Sequence, residues 1–440
     1  MCVMFGVSVL SVAQTTYTLD QCRQMAVQHN IAMRTAKNNI SAAVEQKKEA
    51  YTKYFPSVSI TGVAFKSNKD LVNADINTAD VLPSSLASKL SPEVLAMIPS
   101  SISMSMLDKA MTAGVTAVQP VFVGGQIVNG NKLAKVGIEA GNILLEQSEN
   151  NVMLTTEKYY WQIVTLREKS KTLDAVHSML ERLNKDVDVS VRAGVAMRND
   201  LLQVQLKQNE IESTQITVRN GLNLCKLMLA QYIGLNNADF DLPDDINVES
   251  LPEFPLSLKQ NHVSALHNTT EYRLLEKNVE VTELQRKLEV GKLLPNVGIG
   301  VGYSYDNIMD KNHSLIIAFA KVSVPISDWW GGSHAIKRKK IAVDNAVQQM
   351  DDNSQLLVIR MQKTWDDVED AYKQLGLAHK SIEQATENLR LNNDYYHAGT
   401  TKMSDLLDAQ TLYQKAMDGF VDALSNYETK ITEYKQATGN

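Results

Sequence analysis

Apolar residues recur at every seventh position along four stretches of the chain, which is the spacing of a helix seam that packs against another helix. These stretches are Leu145–Val187, Val204–Tyr232, Met361–Tyr396 and Leu406–Tyr434. Each half of the chain is therefore predicted to contain one pair of long helices. The predicted pairs are 126–192 with 199–233, and 333–397 with 404–438. Cys225 occupies a seam position, so we predict that its thiol is buried.

Alternation of apolar with small or polar residues marks four shorter stretches, which we predict to be β-strands. They cover residues 57–66, 110–122, 296–305 and 313–325. In the third, "NVGIGVGYSY", Gly298, Gly300 and Gly302 alternate with apolar residues. This spacing is not the G-x-G-x-x-G of a phosphate loop, and no helix follows it. The length and alternation fit a membrane-spanning strand, but a soluble antiparallel sheet with one wet face gives a similar pattern.

The chain also repeats itself in tandem. The segment from Ala26 to Ile60 aligns without a gap with the segment from Ala265 to Ile299, and A-G-x5-D-L-L-x-x-Q occurs from Ala193 and again from Ala398. Gly124-Gly125 and Gly331-Gly332 occupy corresponding places between these blocks. The sequence thus predicts two copies of one plan, in the order helix, strand, strand, long helix, turn, helix.

The predicted repeats cover 14–234 and 258–440. An acidic, proline-containing linker over 235–257 joins them. Each repeat begins with a predicted helix, over 18–54 or over 258–293. Between the first two strands lies a long insertion over 67–109, which we expect to be an extracellular loop.

The N-terminal run "MCVMFGVSVLSVAQ" has the apolar core and cleavage region of a secretory signal peptide, although the basic start is missing. We predict a truncated signal peptide over 1–13; a merely apolar N-terminus is the alternative. The two cysteines beyond it, Cys22 and Cys225, are too few for a disulfide-built scaffold.

Charge and motif content narrow the function classes. The 440 residues include 44 Lys or Arg and 50 Asp or Glu, with no basic block suited to a nucleic-acid backbone. Nucleic acid is therefore not a predicted partner. We find no His-Glu-x-x-His motif, nucleophile elbow or Walker loop, so no enzyme, metal site or cofactor is predicted.

The stretch "YHAGTTKMSDLLDAQ", which begins at Tyr396, is similar to a stretch of the TolC-like outer-membrane efflux proteins that combines a tyrosine, Gly-Thr and D-x-L-D-A. The duplicated plan and the prolines that end the first helices, Pro56 and Pro295, resemble the same family. The resemblance implies an α+β membrane protein that forms a homotrimer. Four strands from each chain would form a 12-stranded β-barrel in the bacterial outer membrane, in contact with lipid, and the helical hairpins would form a periplasmic α-barrel.

In function, the resemblance implies the passive exit duct of a tripartite efflux system that conducts small molecules or drugs. The partners would be a periplasmic adaptor, also called a membrane fusion protein, and an inner-membrane pump of the RND or ABC type. Two alternatives stay open: the outer-membrane duct of a type I protein secretion system, and a soluble coiled-coil scaffold without a pore.

The resemblance also implies a periplasmic gate in which Asp405 and Asp408 form rings of carboxylates, with Asp200 and the tip tyrosine, Tyr396. Family members often carry an arginine that ties the gate shut, where this chain has Thr401 beside Lys402. The alternative is that these acids stabilise helix starts through the macrodipole. In that interpretation Asn199 or Ser404 would serve as the N-cap.

Two further sets of site residues follow. The helix reversals are expected to contact the adaptor, and their residues are Gly194, Val195, Gly399 and Thr400. The adjacent Trp329 and Trp330 suit a membrane-interface belt, although a core or capping role is common for such residues.

Overall fold

The computed structural model describes residues 15–69, 72–87, 89–106, 109–243, 251–308 and 311–439. The predicted signal peptide over 1–13 lies outside these residues. The helices are α1 (Leu19–His29), α2 (Ile31–Thr52), α3 (Thr78–Val81), α4 (Ser84–Ala87), α5 (Pro92–Leu95), α6 (Gln126–Arg192), α7 (Arg198–Ile233), α8 (His262–Ala265), α9 (Thr270–Lys292), α10 (Asp328–His397) and α11 (Met403–Ala437). The strands are β1 (Thr15–Thr16), β2 (Ser57–Lys66), β3 (Val72–Asn77), β4 (Ser101–Met106), β5 (Lys109–Val123), β6 (Phe240–Asp241), β7 (Asn296–Ile308) and β8 (Lys311–Ser323). Two short 3₁₀ helices cover Leu256–Leu258 and Leu266–Asn268.

The chain divides into two compact units, each of which takes segments from both predicted repeats. The helical unit contains Met1–Ala43, Val136–Glu280 and Asp344–Asn440, and the sheet unit contains Val44–Lys135 and Val281–Val343. This division is spatial, so the linear repeat boundaries stay a prediction.

The sheet unit is built around four antiparallel strands in the order β2-β5-β7-β8. Consecutive side chains alternate between the two faces, and residues paired directly across the ladder share a face. β2 and β8 are the edge strands of this sheet. The segment over 67–109, expected to be a loop, contains more structure than that: β3 and β4 pair antiparallel, and α3, α4 and α5 lie between them.

The seven-residue seams form the core of the helical unit. Burial is nearly complete at Leu173, Leu180 and Val187 of α6, and at Val204 and Ile211 of α7. The second pair of long helices has its own core, in which Trp365 of α10 packs edge-on against Tyr434 of α11 with ring centroids 5.0 Å apart. Cys225 is a buried free thiol, and so is Cys22. The predicted burial of Cys225 is therefore confirmed.

Three helices differ from the sequence prediction. The helix predicted over 18–54 is divided at Asn30, which has an extended backbone (φ −63°, ψ 140°). The helix predicted over 258–293 is divided at Thr269, which has nearly the same conformation (φ −72°, ψ 142°). The helix predicted from residue 333 begins earlier, at Asp328. Gly331 and Gly332 are therefore helical, whereas Gly124 and Gly125 have positive φ values of 63° and 74°.

The two helix breaks are equivalent, because Asn30 and Thr269 align in the two repeats. At each break a side chain caps the helix that follows: Asn30 Oδ1 accepts from the backbone N–H of Ala32 at 2.8 Å, and Thr269 Oγ1 accepts from that of Tyr272 at 3.3 Å. Such caps satisfy backbone donors that a helix start leaves unpaired. The breaks are thus built into the fold twice.

A glycine packs closely beside each break. Gly234 follows α7 with φ 83°, and a Cβ built on it would lie 2.6 Å from Cβ of His29. Gly439 follows α11 with φ 75°, and a Cβ there would lie 2.8 Å from the backbone of Asn268. His29 and Asn268 also align in the two repeats. The end of α7 therefore meets the first break as the end of α11 meets the second, and we call these two places the joints.

No helix within the described part of the chain combines the length and the apolar content that a membrane crossing needs.

Candidate functional site

Both long-helix reversals use the same glycine-based turn. The backbone N–H of Val195 bonds to the carbonyl of Ser190 at 2.9 Å around Gly194, whose φ is 76°. In the second reversal the N–H of Thr400 bonds to the carbonyl of Tyr395 at 2.9 Å, around a glycine with φ 72°. These bonds close off helix C-termini in the Schellman manner, for which glycine tolerates the left-handed backbone.

The reversal residues expected to contact an adaptor all lie at the surface. Gly194, Gly399 and Thr400 are exposed, and Val195 is 80% exposed. Met197, next to the first turn, is 74% exposed. Because an apolar side chain gains free energy by leaving water, Val195 and Met197 offer apolar contact area to another protein.

Asp200 and Asp405 occupy equivalent positions, three residues into the helices that follow the turns. Asp200 Oδ2 accepts from the backbone N–H of Met197 at 3.3 Å, and Asp405 Oδ2 accepts from that of Lys402 at 3.4 Å. The residues at the N-cap are thus Met197 and Lys402.

The suggested N-cap role of Asn199 or Ser404 is therefore wrong. Both residues already lie inside the helices, since α7 begins at Arg198 and α11 at Met403. The aspartates themselves reach back to the free N–H groups. Ser404 instead donates its hydroxyl to Asp405 Oδ1 at 3.2 Å.

The hydroxyl of Thr401 donates to Asp405 Oδ2 at 2.9 Å. This bond is the largest of the interactions that hold the pKa of Asp405 below its usual range, and the backbone N–H of Lys402 adds to it. A carboxylate that accepts several hydrogen bonds is favoured in its charged form. Asp405 thus stays ionised, and the place of the expected arginine is taken by a threonine of the same turn.

Asp408 lies one helical turn after Asp405, and both side chains are exposed. Residues at this spacing share a helix face. Two carboxylates therefore stand one above the other at the surface of α11.

Tyr396, at the end of α10, packs against residues of the first repeat. It packs against the cluster that includes Leu180, Val204 and Met403. Burial raises the pKa of its hydroxyl, and the negative charges of Asp200 and Asp186 raise it further. The structure thus brings Tyr396 close to Asp200, but Asp405 and Asp408 are not its partners.

Two features near the reversals were not found from the sequence. Asp186 lines a groove of about 540 Å³ together with residues of α10, including Arg390 and His397. Gln410 is completely buried, and neither its amide nitrogen nor its oxygen has a hydrogen-bond partner among the described residues. Only the D-L-L-x-x-Q repeat, which ends at Gln205 and Gln410, signalled the second of these positions.

Trp329 and Trp330 lie in the first turn of α10. The indole N–H of Trp329 donates to the carbonyl of Leu293, just after the end of α9, at 2.9 Å. Trp329 is therefore partly a helix cap, while Trp330 is 80% exposed. An indole with its N–H occupied and its ring exposed suits a boundary between apolar and aqueous surroundings.

One face of the four-stranded sheet is apolar and uncovered. Paired residues Ile60 and Val115, and then Tyr303 and Ile316, follow one another across the four strands. Ile60 and Ile316 are 79% and 76% exposed. The opposite face contains the three alternating glycines of β7. Gly300 is covered there by the ring of Phe319, which a Cβ at position 300 would overlap.

Among the residues described, no group of three or more His, Cys, Asp or Glu side chains is arranged to hold a metal ion.

Comparison with known proteins identifies relatives of this chain in sequence. The profile of the family described as "Outer membrane efflux protein" matches residues 263–440. A segment of 155 residues is 22% identical to outer membrane protein TolC of Salmonella enteritidis, covering 34% of this chain and 31% of TolC. The matched segment therefore spans about a third of that relative.

Solved structures match over almost the whole chain. VceC of Vibrio cholerae superposes with a TM-score of 0.72 at 13% identity, over 96% of both chains. The CmeC outer membrane channel of Campylobacter jejuni gives 0.75 at 12% identity, over 100% of this chain and 93% of CmeC. The open state of the MtrE outer membrane channel of Neisseria gonorrhoeae gives 0.74 at 14% identity, over 100% and 98%. At these identities the likeness establishes the fold.

The resemblance read from the sequence is confirmed by the family match and the shared fold, and so is the predicted location in the bacterial outer membrane with an extension into the periplasm. A soluble scaffold does not fit that location. Residues 263–440 thus match the outer membrane efflux protein family in sequence, and the whole chain shares the fold of solved outer membrane channels.

Proposed function

We propose that three copies of this chain assemble into an outer-membrane channel that is the passive exit duct of a tripartite efflux system. The observation that carries the proposal is the four-stranded sheet, which has an uncovered apolar face and two edge strands. An uncovered face of this kind is costly in water but favourable in lipid.

The edges explain why several copies are needed. In a membrane every backbone polar group must be paired, so a sheet can cross only when it closes on itself. Four strands are too few, because membrane barrels begin at about eight strands. Two copies would supply eight strands and three would supply twelve; the family resemblance favours three. β8 of one copy would then pair with β2 of the next.

The helical unit supplies the periplasmic part of the duct in this proposal. Its reversals would meet the periplasmic adaptor through Gly194, Val195, Gly399 and Thr400, and an inner-membrane pump of the RND or ABC type would supply the energy. The exposure of Val195 and Met197 supports a protein contact at this point.

The gate would be formed by Asp405 and Asp408 of three copies, with Asp200 and Tyr396 positioning the helices. Like charges close together in a ring attract cations and resist a closer approach. The exposure of both carboxylates and their one-turn spacing support this role. The pKa of Asp405 is lowered by its own turn, so its charge would persist through the physiological range.

Planar-bilayer recording tests this proposal. The wild-type protein should form channels that favour cations and are blocked by multivalent cations. Asp405→Asn/Asp408→Asn keeps the shape and removes two charges per chain, so block should weaken at least tenfold. The matched control, Asp351→Asn/Asp352→Asn, removes two exposed charges from the middle of α10 and should leave block unchanged. Equal block by multivalent cations in both variants would contradict the proposed gate. Folded protein that forms no channels would contradict the proposed duct.

A further inference from the structure

The first turns of α10 contain four consecutive cations, Lys337, Arg338, Lys339 and Lys340. Only Lys339 turns toward the protein, where its ammonium bonds to Gln285 Oε1 at 3.0 Å. The other three side chains are exposed, and no carboxylate in the described ranges pairs with them. We call Lys337, Arg338 and Lys340 the basic cluster.

Several cations further along α10 pair with a carboxylate within one turn. Lys363 pairs with Asp367 at 2.7 Å, and Arg390 pairs with Glu387 at 2.7 Å. The basic cluster instead places Lys337 and Lys340 three residues apart, a spacing at which like charges repel. A helix that keeps such a repulsion is typical of a surface that receives an anionic partner.

The cluster continues an aromatic and apolar helix face. Trp330, Lys337 and Ile341 are separated by seven and four residues and so share one face, which Arg338 and Lys340 flank. Ile341 is 58% exposed. The first acid beyond the cluster on α10 is Asp344, one turn after Lys340. The basic surface is thus confined to the region beside the tryptophans.

Distances along the helix match a lipid headgroup layer. At 1.5 Å per residue, the cluster begins roughly 10 Å and ends roughly 15 Å beyond Trp330. Helical side chains lean toward the N-terminus of their helix, so these cations lean back toward Trp330 and the sheet. Long basic side chains commonly extend in this way to keep their charge at the membrane interface.

We propose that the basic cluster, together with Trp330, binds the phosphate groups of anionic phospholipids in the leaflet where α10 joins the sheet. The inference rests on the proposed function, because it requires the apolar sheet face to lie in the membrane. Charge complementarity selects this partner: three unpaired cations face a leaflet whose anionic headgroups are held at a fixed depth. Free phosphate lacks that positioning and would bind only weakly.

The test compares lipids bound to purified protein in mixed micelles of phosphatidylethanolamine and phosphatidylglycerol, counted by native mass spectrometry. Lys337→Gln/Arg338→Gln/Lys340→Gln should lower the enrichment of phosphatidylglycerol at least fivefold, which is about the effect of one cation at a membrane surface. The matched control, Arg34→Gln/Lys37→Gln/Lys380→Gln, removes three exposed cations from the helical unit and should keep the wild-type enrichment.

Equal enrichment in the two triple variants would overturn the proposal. Displacement of phosphatidylglycerol by millimolar inorganic phosphate would also overturn it, since the site would then recognise phosphate alone. In the wild type, enrichment should fall as the NaCl concentration rises, because exposed charges are screened. This measurement needs no variant, and a salt-independent enrichment would contradict a charge-based site.

Cell fractionation separates the two proposals. Loss of the wild-type protein from the outer membrane would contradict the duct, whereas a membrane-bound wild type without lipid preference would contradict only this inference.

Discussion

At the residue scale, the geometry of one side chain is compatible with both roles that the sequence offered as alternatives. Asp405 caps the start of α11 by accepting from Lys402 N–H, and it still projects an ionised carboxylate at the surface. The acidic position was predictable from the repeated D-L-L motif. The cap was not, because it depends on where the helix starts, and the Asn199 and Ser404 interpretation placed the N-cap two residues too late.

A prediction about pH follows from this cap. The pKa of Asp405 is lower in the folded protein than in the unfolded chain. Its negative charge therefore stabilises the fold above the unfolded pKa of about 3.9, and this contribution is lost as the pH falls through the folded pKa. Asp405→Asn lacks the charge at every pH. Thermal unfolding should therefore show the wild type more stable than Asp405→Asn from pH 7 to about pH 5, with the difference shrinking below about pH 4. A difference that stayed constant down to pH 3 would show that the charge has no part in the cap.

At the element scale, the joints show what periodicity does not reveal. The apolar pattern runs through Asn30 and Thr269 without proline or glycine, so the sequence predicted unbroken helices. The breaks exist because the ends of α7 and α11 occupy that space, with Gly234 and Gly439 in close contact. The glycine pair at 331 and 332 shows the opposite case, since the predicted helix began at residue 333 whereas α10 already includes both glycines.

The joints can be tested against a turn of the same backbone conformation. Gly234→Ala and Gly194→Ala each place a Cβ on a left-handed residue, at a cost of about 1–2 kcal/mol. Position 194 has no atom within 4 Å, whereas position 234 meets His29. Gly234→Ala should therefore destabilise the protein by about 1–3 kcal/mol more than Gly194→Ala, the usual range for overpacking. Equal losses in chemical unfolding would mean that the joint is loosely packed.

The glycines of β7 allow a second test within one strand. A Cβ at Gly300 would overlap Phe319, while one at Gly302 would lie 3.6 Å from Thr116 Oγ1, an ordinary contact. Gly302→Ala should be neutral or slightly stabilising, since alanine loses less backbone entropy on folding. Gly300→Ala should be destabilising in the wild type but not beside Phe319→Ala, with a coupling of about 0.5–3 kcal/mol in a double-mutant cycle. Additive effects would show that Phe319 does not depend on the glycine.

At the scale of the whole molecule, the strands and long helices were predictable from the sequence, but their grouping into two spatial units was not. Seam residues such as Leu180 and Phe420 are buried as the seven-residue pattern predicted. The alternation in β7 predicted a strand with one apolar face, and the structure adds that this face is uncovered. A single sequence could not show that Tyr396 of the second repeat would lie near Asp200 of the first, because that proximity follows from packing between the repeats.

The proposed channel requires that the two edge strands, β2 and β8, pair with strands of other copies. The most direct measurement is the mass of the particle released from outer membranes by mild detergent, determined by native mass spectrometry. We predict three chains, with no stable monomer under conditions that preserve helix content. A folded monomer, in which both edges remain unpaired, would contradict the proposed channel.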